Sequence, residues 1–381
     1  MRYPLEGVRV LDLTRVLAGP IAGRMLSDLG ADVVKVEPPE GDLSRVWGEE
    51  RHGLSGFYTQ QNAGKRNVCI DLKAPGGPEL VRRLAREADV VVENFRPGVL
   101  DRLGLGYAAL AADNPRLVML SITGFGQAGP DSHRQAYAPV VHAESGLIAR
   151  QASFDGTPSD PMLSIADTNA GLHGLAAVLA ALLMRERTGT GQHIDIAMFD
   201  AMVATDDYVH HALDGSPIVR LGGEVWDAPG GPLLIAGDFR NTWRCLKATV
   251  ADPTPEGADL QTKIRCRRQA VADWLLQFPT REEATRALER ANLPWGDVRS
   301  PYDAVRSPTA VARGVAAEVD DRGGGRRRVA QSPYRFSRAD SGVRGPAPFR
   351  GEHNAVVLAE WAGYEAEEID QFAATGILHA E

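Results

Sequence analysis

Short apolar runs alternate with helical patterns through the first third of the chain. Within the runs Val, Ile and Leu are nearly continuous, which is typical of strands buried on both faces of a parallel sheet. Strands separated by helices in this way indicate βαβ units, so we expect an α/β fold with a doubly wound, mainly parallel, Rossmann-like sheet. The predicted strands are residues 8–13, 32–37, 67–72, 89–93 and 116–122, and the predicted helices are 20–29, 77–87 and 99–112.

The pattern changes near residue 214. A strand at 192–197 and a helix at 200–213 still follow the first pattern, whereas beyond them Gly, Pro and Trp become frequent and a short strand at 233–236 leads into amphipathic helices. The tail has a polar hairpin tip at 320–328 and helical signals at 352–358 and 365–377. We expect three parts: a large domain over 1–214, a smaller α+β domain over 220–310, and a linker and return to the large domain over 315–381.

The composition excludes several classes of protein. The chain has 381 residues, of which 44% are hydrophobic, so it can bury a large core. A formal net charge of −8, with no dense basic tract, argues against a nucleic-acid partner. The three cysteines form no CxxC pair and no cluster with histidine, so we expect reduced thiols and no metal site. Because no charged-then-apolar leader is visible and the apolar stretch 175–184 is short for a bilayer, we expect a cytoplasmic protein with no membrane partner.

Asp167 stands just before a long apolar helical run at 172–184. One interpretation is a helix N-cap, because an aspartate at such a position accepts hydrogen bonds from unpaired backbone N–H groups. The other is a nucleophile, because the same donors keep a carboxylate ionised and fix its position. Caps are far commoner than covalent aspartates, so the local pattern alone favours the cap and leaves both open.

Ligands of open parallel sheets bind beyond the carboxyl ends of the strands. Three predicted loops fall there, at 14–20, 93–98 and 123–130. The first of these loops contains no GxGxxG sequence, which disfavours a dinucleotide-binding Rossmann domain.

A series of segments resembles family III CoA-transferases, a group that also contains the α-methylacyl-CoA racemases. They include Glu93-Asn-Phe-Arg-Pro-Gly98, Thr188-Gly-Thr-Gly-Gln192 and the run around Asp167. The others are residues 7–14, 18–20, 29–37, 62–66, 71–73, 121–126 and 351–353. Any one segment is weak evidence, but together they follow the family order over nearly the whole chain, most weakly over 215–300. The resemblance favours the nucleophile over the cap for Asp167.

The resemblance also implies an interlocked homodimer and a covalent mechanism. In that mechanism Asp167 attacks the thioester of an acyl-CoA, carries an aspartyl anhydride and then an aspartyl-CoA thioester, and passes CoA to an acceptor carboxylic acid. CoA is therefore a substrate, and no permanently bound cofactor is expected. The residues that match CoA contacts of the family are Val16, Ala18, Asn94, Phe95, Arg96, Arg102, Tyr137 and Met198.

The candidate walls of the acid pocket are Leu17, Trp47 and Tyr58, with ordinary core packing as the alternative for Trp47 and Tyr58. Leu17 replaces a glutamine of the formyl-CoA transferases, and the glycine-rich substrate loop of those enzymes has only a loose counterpart at 222–231. These walls are apolar or aromatic and include no Arg or Lys that could bind a second carboxylate. We therefore expect a medium-sized, partly apolar acceptor acid rather than oxalate. Pro38 stands where several relatives have arginine, so one phosphate contact has no counterpart.

Two other functions remain open. A racemase of this group needs a histidine as its second acid–base group, and Tyr137 stands at the matching position. A tyrosine hydroxyl is a poor base at neutral pH, and His142 would need another backbone path to serve instead. The third interpretation, a CoA-binding protein without turnover, is disfavoured by the intact segment around Asp167.

Overall fold

The computed structural model describes residues 2–218 and 222–381, and the chain divides into two units. The larger unit consists of the described residues up to Val209 together with Arg313–Glu381, and the smaller unit falls within His210–Ala312. The strands are β1 Arg9–Asp12, β2 Asp32–Glu37, β3 Glu50–Arg51, β4 Leu54–Ser55, β5 Arg66–Cys69, β6 Val90–Glu93, β7 Val118–Thr123, β8 Gln192–Ala197, β9 Gly223–Trp226, β10 Leu233–Ala236, β11 Trp295–Asp297, β12 Ala316–Asp320 and β13 Arg326–Ala330.

Helices cover much of the remaining described chain, with a short 3₁₀ helix at Leu43–Val46. They are α1 Ala18–Asp28, α2 Gly56–Asn62, α3 Gly77–Arg86, α4 Val99–Arg102, α5 Tyr107–Asp113, α6 Ala138–Glu144, α7 Leu147–Asp155, α8 Ile165–Thr188, α9 Met198–Ala204, α10 Val209–Asp214, α11 Phe239–Leu246, α12 Leu260–Leu276, α13 Arg281–Arg290, α14 Pro301–Ala304, α15 Pro308–Ala312, α16 Asn354–Ala362 and α17 Ala366–Ala374.

The larger unit is built on a six-stranded sheet with the order β5-β2-β1-β6-β7-β8. Every neighbouring pair in this sheet is parallel. Successive strand residues face opposite sides of the sheet, so Val10 joins one buried cluster with helices α1 and α8, while Leu11 joins another with α3 and α16. The prediction of an α/β fold with a mainly parallel sheet is confirmed.

Two helices predicted as continuous are each interrupted in the structure. The segment at 99–112 forms α4 and α5, because Gly104 has a positive φ of 70° and an added Cβ on Gly106 would lie 1.9 Å from Asp101 Oδ1. The segment at 200–213 forms α9 and α10. Its break contains Asp206, whose carboxylate accepts the N–H of Tyr208 at 2.9 Å and so favours a turn over a helix.

The smaller unit is α+β. Its three strands form an antiparallel sheet in the order β11-β10-β9. Helices α11, α12 and α13 supply Trp243, Leu275 and Leu288 to a core that also contains Leu233 and Ile235 of β10.

The C-terminal residues complete the larger unit. Val357, Leu358 and Trp361 of α16 join the buried cluster on one face of the six-stranded sheet. The hairpin tip predicted at 320–328 is the turn between β12 and β13, where Asp321 Oδ1 accepts the N–H groups of Gly323 and Gly325 at 2.9 and 2.8 Å.

Helix α8 is the long helix on which Asp167 lies. Its 24 residues are long and apolar enough to cross a membrane by length and composition alone, more than the apolar stretch at 175–184 suggested. Ala170, Val178 and Ala181 pack in the core against α1 and the sheet, and the buried Arg185 pairs with Asp89 at 2.9 Å. These contacts are those of a core helix.

Candidate active site

The order of the six strands reverses between β1 and β6. These two strands are neighbours in the sheet. β2, which follows β1 in the chain, lies on the far side of β1, whereas β7, which follows β6 in the sheet order, lies on the far side of β6. Chains that leave two such strands diverge at their carboxyl ends and open a crevice, the place where ligands of open α/β sheets bind. The loops after β1 and β6 carry Arg15, Val16, Asn94, Phe95 and Arg96.

Val16 has a strained backbone in the first of these loops. Its φ is 69°, a region that β-branched residues rarely adopt. A hydrogen bond stabilises this backbone conformation, because the Asp42 carboxylate accepts the Val16 N–H at 3.2 Å. Asp42 in turn pairs with Lys35 at 3.1 Å and accepts the N–H of Ser44 at 2.9 Å. Burial alone would raise the pKa of Asp42, but Lys35 and Ser44 lower it to about 2, so its charge persists at neutral pH.

A second buried ion pair fixes the start of the same loop. Lys65 Nζ donates to Asp12 Oδ2 at 2.8 Å, and both side chains are fully buried. Asp12 Oδ1 accepts the N–H of Thr14 at 2.9 Å, and Lys35 Nζ donates to the Thr14 carbonyl at 2.6 Å. The backbone that leads into the crevice is therefore anchored by charges that water does not reach.

One cavity of about 290 Å³ lies in this crevice, within the larger unit. It contains Asp167 and residues that follow β1, β6, β7 and β8. The lining residues are Arg15, Val16, Ala18, Leu43, Asn94, Phe95, Arg96, Pro97, Ile122, Thr123, Gly124, Ser132, Arg134, Gln135, Ala136, Tyr137, Asp167 and Met198.

Asp167 is not the N-cap of α8. That position belongs to Ser164, and Asp167 lies in the first turn with only 8% of its surface exposed. Burial raises the pKa of the Asp167 carboxyl to about 6, although the backbone N–H groups of Ala138 and Ala18 favour its charged form and partly oppose the shift. At neutral pH the side chain is a poorly hydrated carboxylate, and the amides of the first residues of α6 and α1 favour its charge.

A second buried carboxyl lies beside the cavity. Burial raises the pKa of Glu93 to about 7, opposed by the influence of Ser121 and by the N–H of Phe95, which donates to Glu93 at 2.7 Å. Glu93 does not itself line the cavity, but through Phe95 it touches the loop that does.

The structure brings most of the predicted site residues together. Asp167 shares the cavity with all but one of the predicted CoA contacts, namely Val16, Ala18, Asn94, Phe95, Arg96, Tyr137 and Met198. Arg102 is the exception, since it ends α4 with an exposed side chain outside the lining.

The three candidate walls of the acid pocket lie outside the cavity lining. Leu17 is the buried N-cap of α1, and the Trp47 ring packs edge-on against Phe57 with centroids 5.2 Å apart. Tyr58 is fully buried, and its hydroxyl donates to Glu37 and accepts from Arg45. Its burial depends on partners distant in sequence. The 222–231 segment belongs to the smaller unit.

Arginines line the cavity where apolar walls were expected. Besides Arg96, Arg15 and Arg134 face it, and neither was singled out in the sequence, although Arg15 lies in a loop marked as ligand-binding. Arg134 is paired with Glu144 and Asp131. Arg15 stacks over Phe95 at 5.5 Å and has no ion-pair partner among the side chains that the structure describes. The prediction of a partly apolar acceptor acid depended on Leu17, Trp47 and Tyr58, and none of these residues lines the cavity.

Among the described residues that line the cavity beside Asp167 there is no histidine. His142 is fully buried and does not line the cavity. In the described part of the chain, no group of three or more His, Cys, Asp and Glu side chains is arranged to hold a metal ion.

Comparison with known proteins identifies the family. The model of CoA-transferase family III matches residues 5–354, and the chain belongs to this family. It is 37% identical to a succinate–glutarate CoA-transferase of Agrobacterium fabrum, over 94% of this chain and 95% of that protein. It is 32% identical to a formyl-CoA:oxalate CoA-transferase of Streptomyces avermitilis, over 99% of this chain and 100% of that protein.

A solved structure agrees with this assignment. The crystal structure of a CAIB/BAIF family protein from Brucella suis superimposes with a TM-score of 0.82 at 33% sequence identity, covering 95% of this chain and 100% of that one. The protein is thus an enzyme of the family III CoA-transferase type, with acyl-CoA and carboxylic acids as its class of substrates.

Proposed function

We propose that the protein moves CoA from an acyl-CoA to a carboxylic acid through covalent intermediates on Asp167. The observation that carries the proposal is the position of this carboxylate, buried in the crevice between the loops after β1 and β6. A carboxylate is a weak nucleophile in water, and its reactivity rises when the protein removes its hydration shell.

The reaction balances without an added reagent. An Asp167 oxygen attacks the thioester carbon, and the C–S bond breaks to give CoA thiolate and an aspartyl acyl anhydride. The thiolate attacks the aspartyl carbonyl, which releases the donor acid and leaves an aspartyl-CoA thioester. The acceptor carboxylate then attacks that thioester, and the freed thiolate attacks the acceptor carbonyl, so that acyl-CoA leaves and the Asp167 carboxylate is restored.

Each step passes through a tetrahedral oxyanion that needs hydrogen-bond donors. The N–H groups of Ala18 and Ala138 favour the charged form of the Asp167 carboxyl. Ala18 is the first residue of an 11-residue helix, whose dipole adds to the stabilisation of negative charge. When the Asp167 carbonyl oxygen becomes an oxyanion, these two donors are in place to bind it.

Asp167→Asn tests the proposal, with Asp200→Asn as a matched control. Asp200 also lies in the first turn of a helix, α9, but it is exposed. We expect Asp167→Asn to abolish CoA transfer while CoA binding persists, and Asp200→Asn to retain the activity of the wild-type protein. Turnover by Asp167→Asn at a normal rate, with deamidation excluded by mass spectrometry, contradicts the proposal.

We further propose a dicarboxylic acid as the acceptor. The relatives quoted above are named for succinate, glutarate and oxalate, all dicarboxylic acids. Arg15 lines the same cavity as Asp167 and is well suited to bind the carboxylate that does not react, because a guanidinium forms paired hydrogen bonds with a carboxylate.

The acceptor class is tested by a panel of succinate, glutarate, oxalate, butyrate and aromatic acids. In Arg15→Gln we expect kcat/KM for glutarate to fall about tenfold or more while the value for butyrate changes little. Arg96→Gln is the control, since a contact to CoA alone lowers both values equally. Preference of the wild-type protein for butyrate or an aromatic acid contradicts a dicarboxylic acceptor.

We also propose that two chains assemble into an interlocked homodimer. Helix α8 leaves Leu172, Leu183 and Met184 exposed by 48%, 57% and 52% on the larger unit. Large apolar side chains exposed along one core helix are typical of a surface that another chain covers.

A further inference from the structure

His142 connects the helix before Asp167 to the helix that carries it. It lies in the last turn of α6 and is fully buried. On one side its Nδ1 lies 2.8 Å from Asp160 Oδ1. On the other, its Nε2 lies 3.2 Å from the backbone nitrogen of Ala166, the residue before Asp167.

These two contacts determine where the imidazole carries its proton. The Ala166 N–H can only donate, so Nε2 must offer its lone pair. Nδ1 therefore carries the proton, and its N–H donates a hydrogen bond to the Asp160 carboxylate. In this arrangement Asp160 selects the tautomer of His142 that is able to accept from Ala166.

His142 takes the place of a missing helix cap. The N-cap of α8 is Ser164, whose side chain makes no capping hydrogen bond. An N-cap side chain ordinarily accepts from the second or third helical N–H, and Ala166 is the second residue of α8. The acceptor for the Ala166 N–H is instead Nε2 of His142, on the neighbouring helix α6.

The same two helices also meet at Asp167. The backbone N–H of Ala138, the first residue of α6, favours the charged form of the Asp167 carboxyl and lowers its pKa. The hydrogen bond from Ala166 to His142 therefore joins α8 to α6 one residue before the carboxylate on which the Ala138 N–H acts.

We propose that His142, in the tautomer selected by Asp160, is a positioning residue that aligns Asp167 with the Ala138 N–H. The inference rests on the proposed role of Asp167 as nucleophile. His142 does not touch the substrate, because it lies outside the cavity lining. Its effect on the reaction passes through the orientation of Asp167.

His142→Leu and His142→Gln separate positioning from packing. Leucine fills the space but cannot accept from Ala166, whereas glutamine offers an oxygen in place of Nε2. We expect His142→Leu to lower kcat about ten- to a hundredfold with KM for acyl-CoA nearly unchanged. We expect His142→Gln to recover most of the lost kcat. Equal kcat for these two variants overturns the inference.

Asp160 provides a second test at a partly exposed position, where folding is easily preserved. Asp160→Leu frees the tautomer of His142, so we expect kcat to fall about threefold or more, while Asp160→Asn keeps an acceptor and has little effect. In a His142→Gln background no tautomer needs to be selected, and Asp160→Leu is then expected to lose its effect. An equal effect of Asp160→Leu in both backgrounds contradicts the inference.

A measurement without substrate distinguishes failure of this inference from failure of the proposed function. The Asp167 carboxyl is followed by carbon-13 NMR over a pH titration, and its signal is assigned by comparison with Asp167→Asn. We expect His142→Leu to raise the pKa of Asp167, because the Ala138 N–H no longer favours the carboxylate, and His142→Gln to leave it near the wild-type value. Identical titrations in all three proteins overturn positioning by His142, even if Asp167 proves to be the nucleophile.

Discussion

The side chain of Asn94 is bonded to both backbone polar groups of Arg15. Its Oδ1 accepts the Arg15 N–H at 2.9 Å, and its Nδ2 donates to the Arg15 carbonyl at 2.8 Å. Asn94 follows β6 and Arg15 lies in the loop after β1, so this pair of bonds joins the two loops across the crevice. Both residues line the cavity.

Loss of this connection is expected to weaken acyl-CoA binding. In Asn94→Ala two hydrogen bonds of about 1 kcal/mol each disappear, and we expect KM for acyl-CoA to rise about tenfold or more. Asn114→Ala is the matched control, because Asn114 makes a similar pair of bonds, to the Ala88 carbonyl and the Arg116 N–H, before β6 and β7 begin. The control should lower stability without changing KM, and an equal rise in KM for both variants refutes the role of Asn94.

Asp167 is expected to lower the stability of the fold when it is ionised. Its pKa is about 6 in the folded chain against an ordinary 3.8, so the folded state holds its proton more tightly and stability falls as pH rises through that window. We expect Asp167→Asn to be more stable than wild type by up to about 3 kcal/mol at about pH 8, with little of this gain left at about pH 4. Urea unfolding at both pH values measures the gain, and a gain that does not depend on pH refutes ionisation of Asp167 as its cause.

The same pKa sets the acid limb of the activity. Only the carboxylate form of Asp167 is a nucleophile, so we expect kcat/KM to fall as pH drops below about 6. Glu93, with its pKa of about 7, is the other buried carboxyl next to the cavity. The limb near 6 should persist in Glu93→Gln, and its disappearance in that variant would assign the limb to Glu93.

Assembly is tested on the outer face of α8. We expect light scattering to give twice the chain mass of 41.0 kDa for the wild-type protein. Leu183→Arg should prevent the assembly because it places a charge in an apolar interface. Val356→Arg, at an exposed apolar position of α16, should not. A folded wild-type monomer at micromolar concentration contradicts the proposed dimer.

The sequence predicts the strands of the large sheet but not their order. The three consecutive valines at 90–92 indicate burial on two faces, because no polar residue interrupts them. The order depends on the side of the sheet to which each connecting helix returns, and no local pattern records that. The reversal between β1 and β6, which creates the cavity, is therefore visible only in the structure.

The sequence identified residues of the cavity only where they belong to a short motif. Asn94, Phe95 and Arg96 belong to one short segment and come together with Asp167 in the fold. Arg15 and Arg134 have no such context, since an arginine in a loop is more often a solvated surface residue. Tyr58, which we expected to form a wall of the acid pocket, is instead buried and bonded to Glu37 and Arg45. The local sequence does not predict such contacts, because they depend on tertiary packing.

If Asp167 carries the acyl group covalently, an oxygen atom of the acceptor acid must pass to its side chain, and an oxygen label detects this transfer. The protein turns over with an acceptor acid labelled in its carboxylate with oxygen-18, and the peptide that contains Asp167 is then analysed by tandem mass spectrometry. In the anhydride route the bridging oxygen comes from the acceptor and stays on the aspartate when the thiolate attacks the acceptor carbonyl. We expect heavy oxygen in the side chain of Asp167 and none in Asp200. Turnover that leaves Asp167 unlabelled would mean that the acceptor reacts directly with the acyl-CoA, and the covalent mechanism would be wrong.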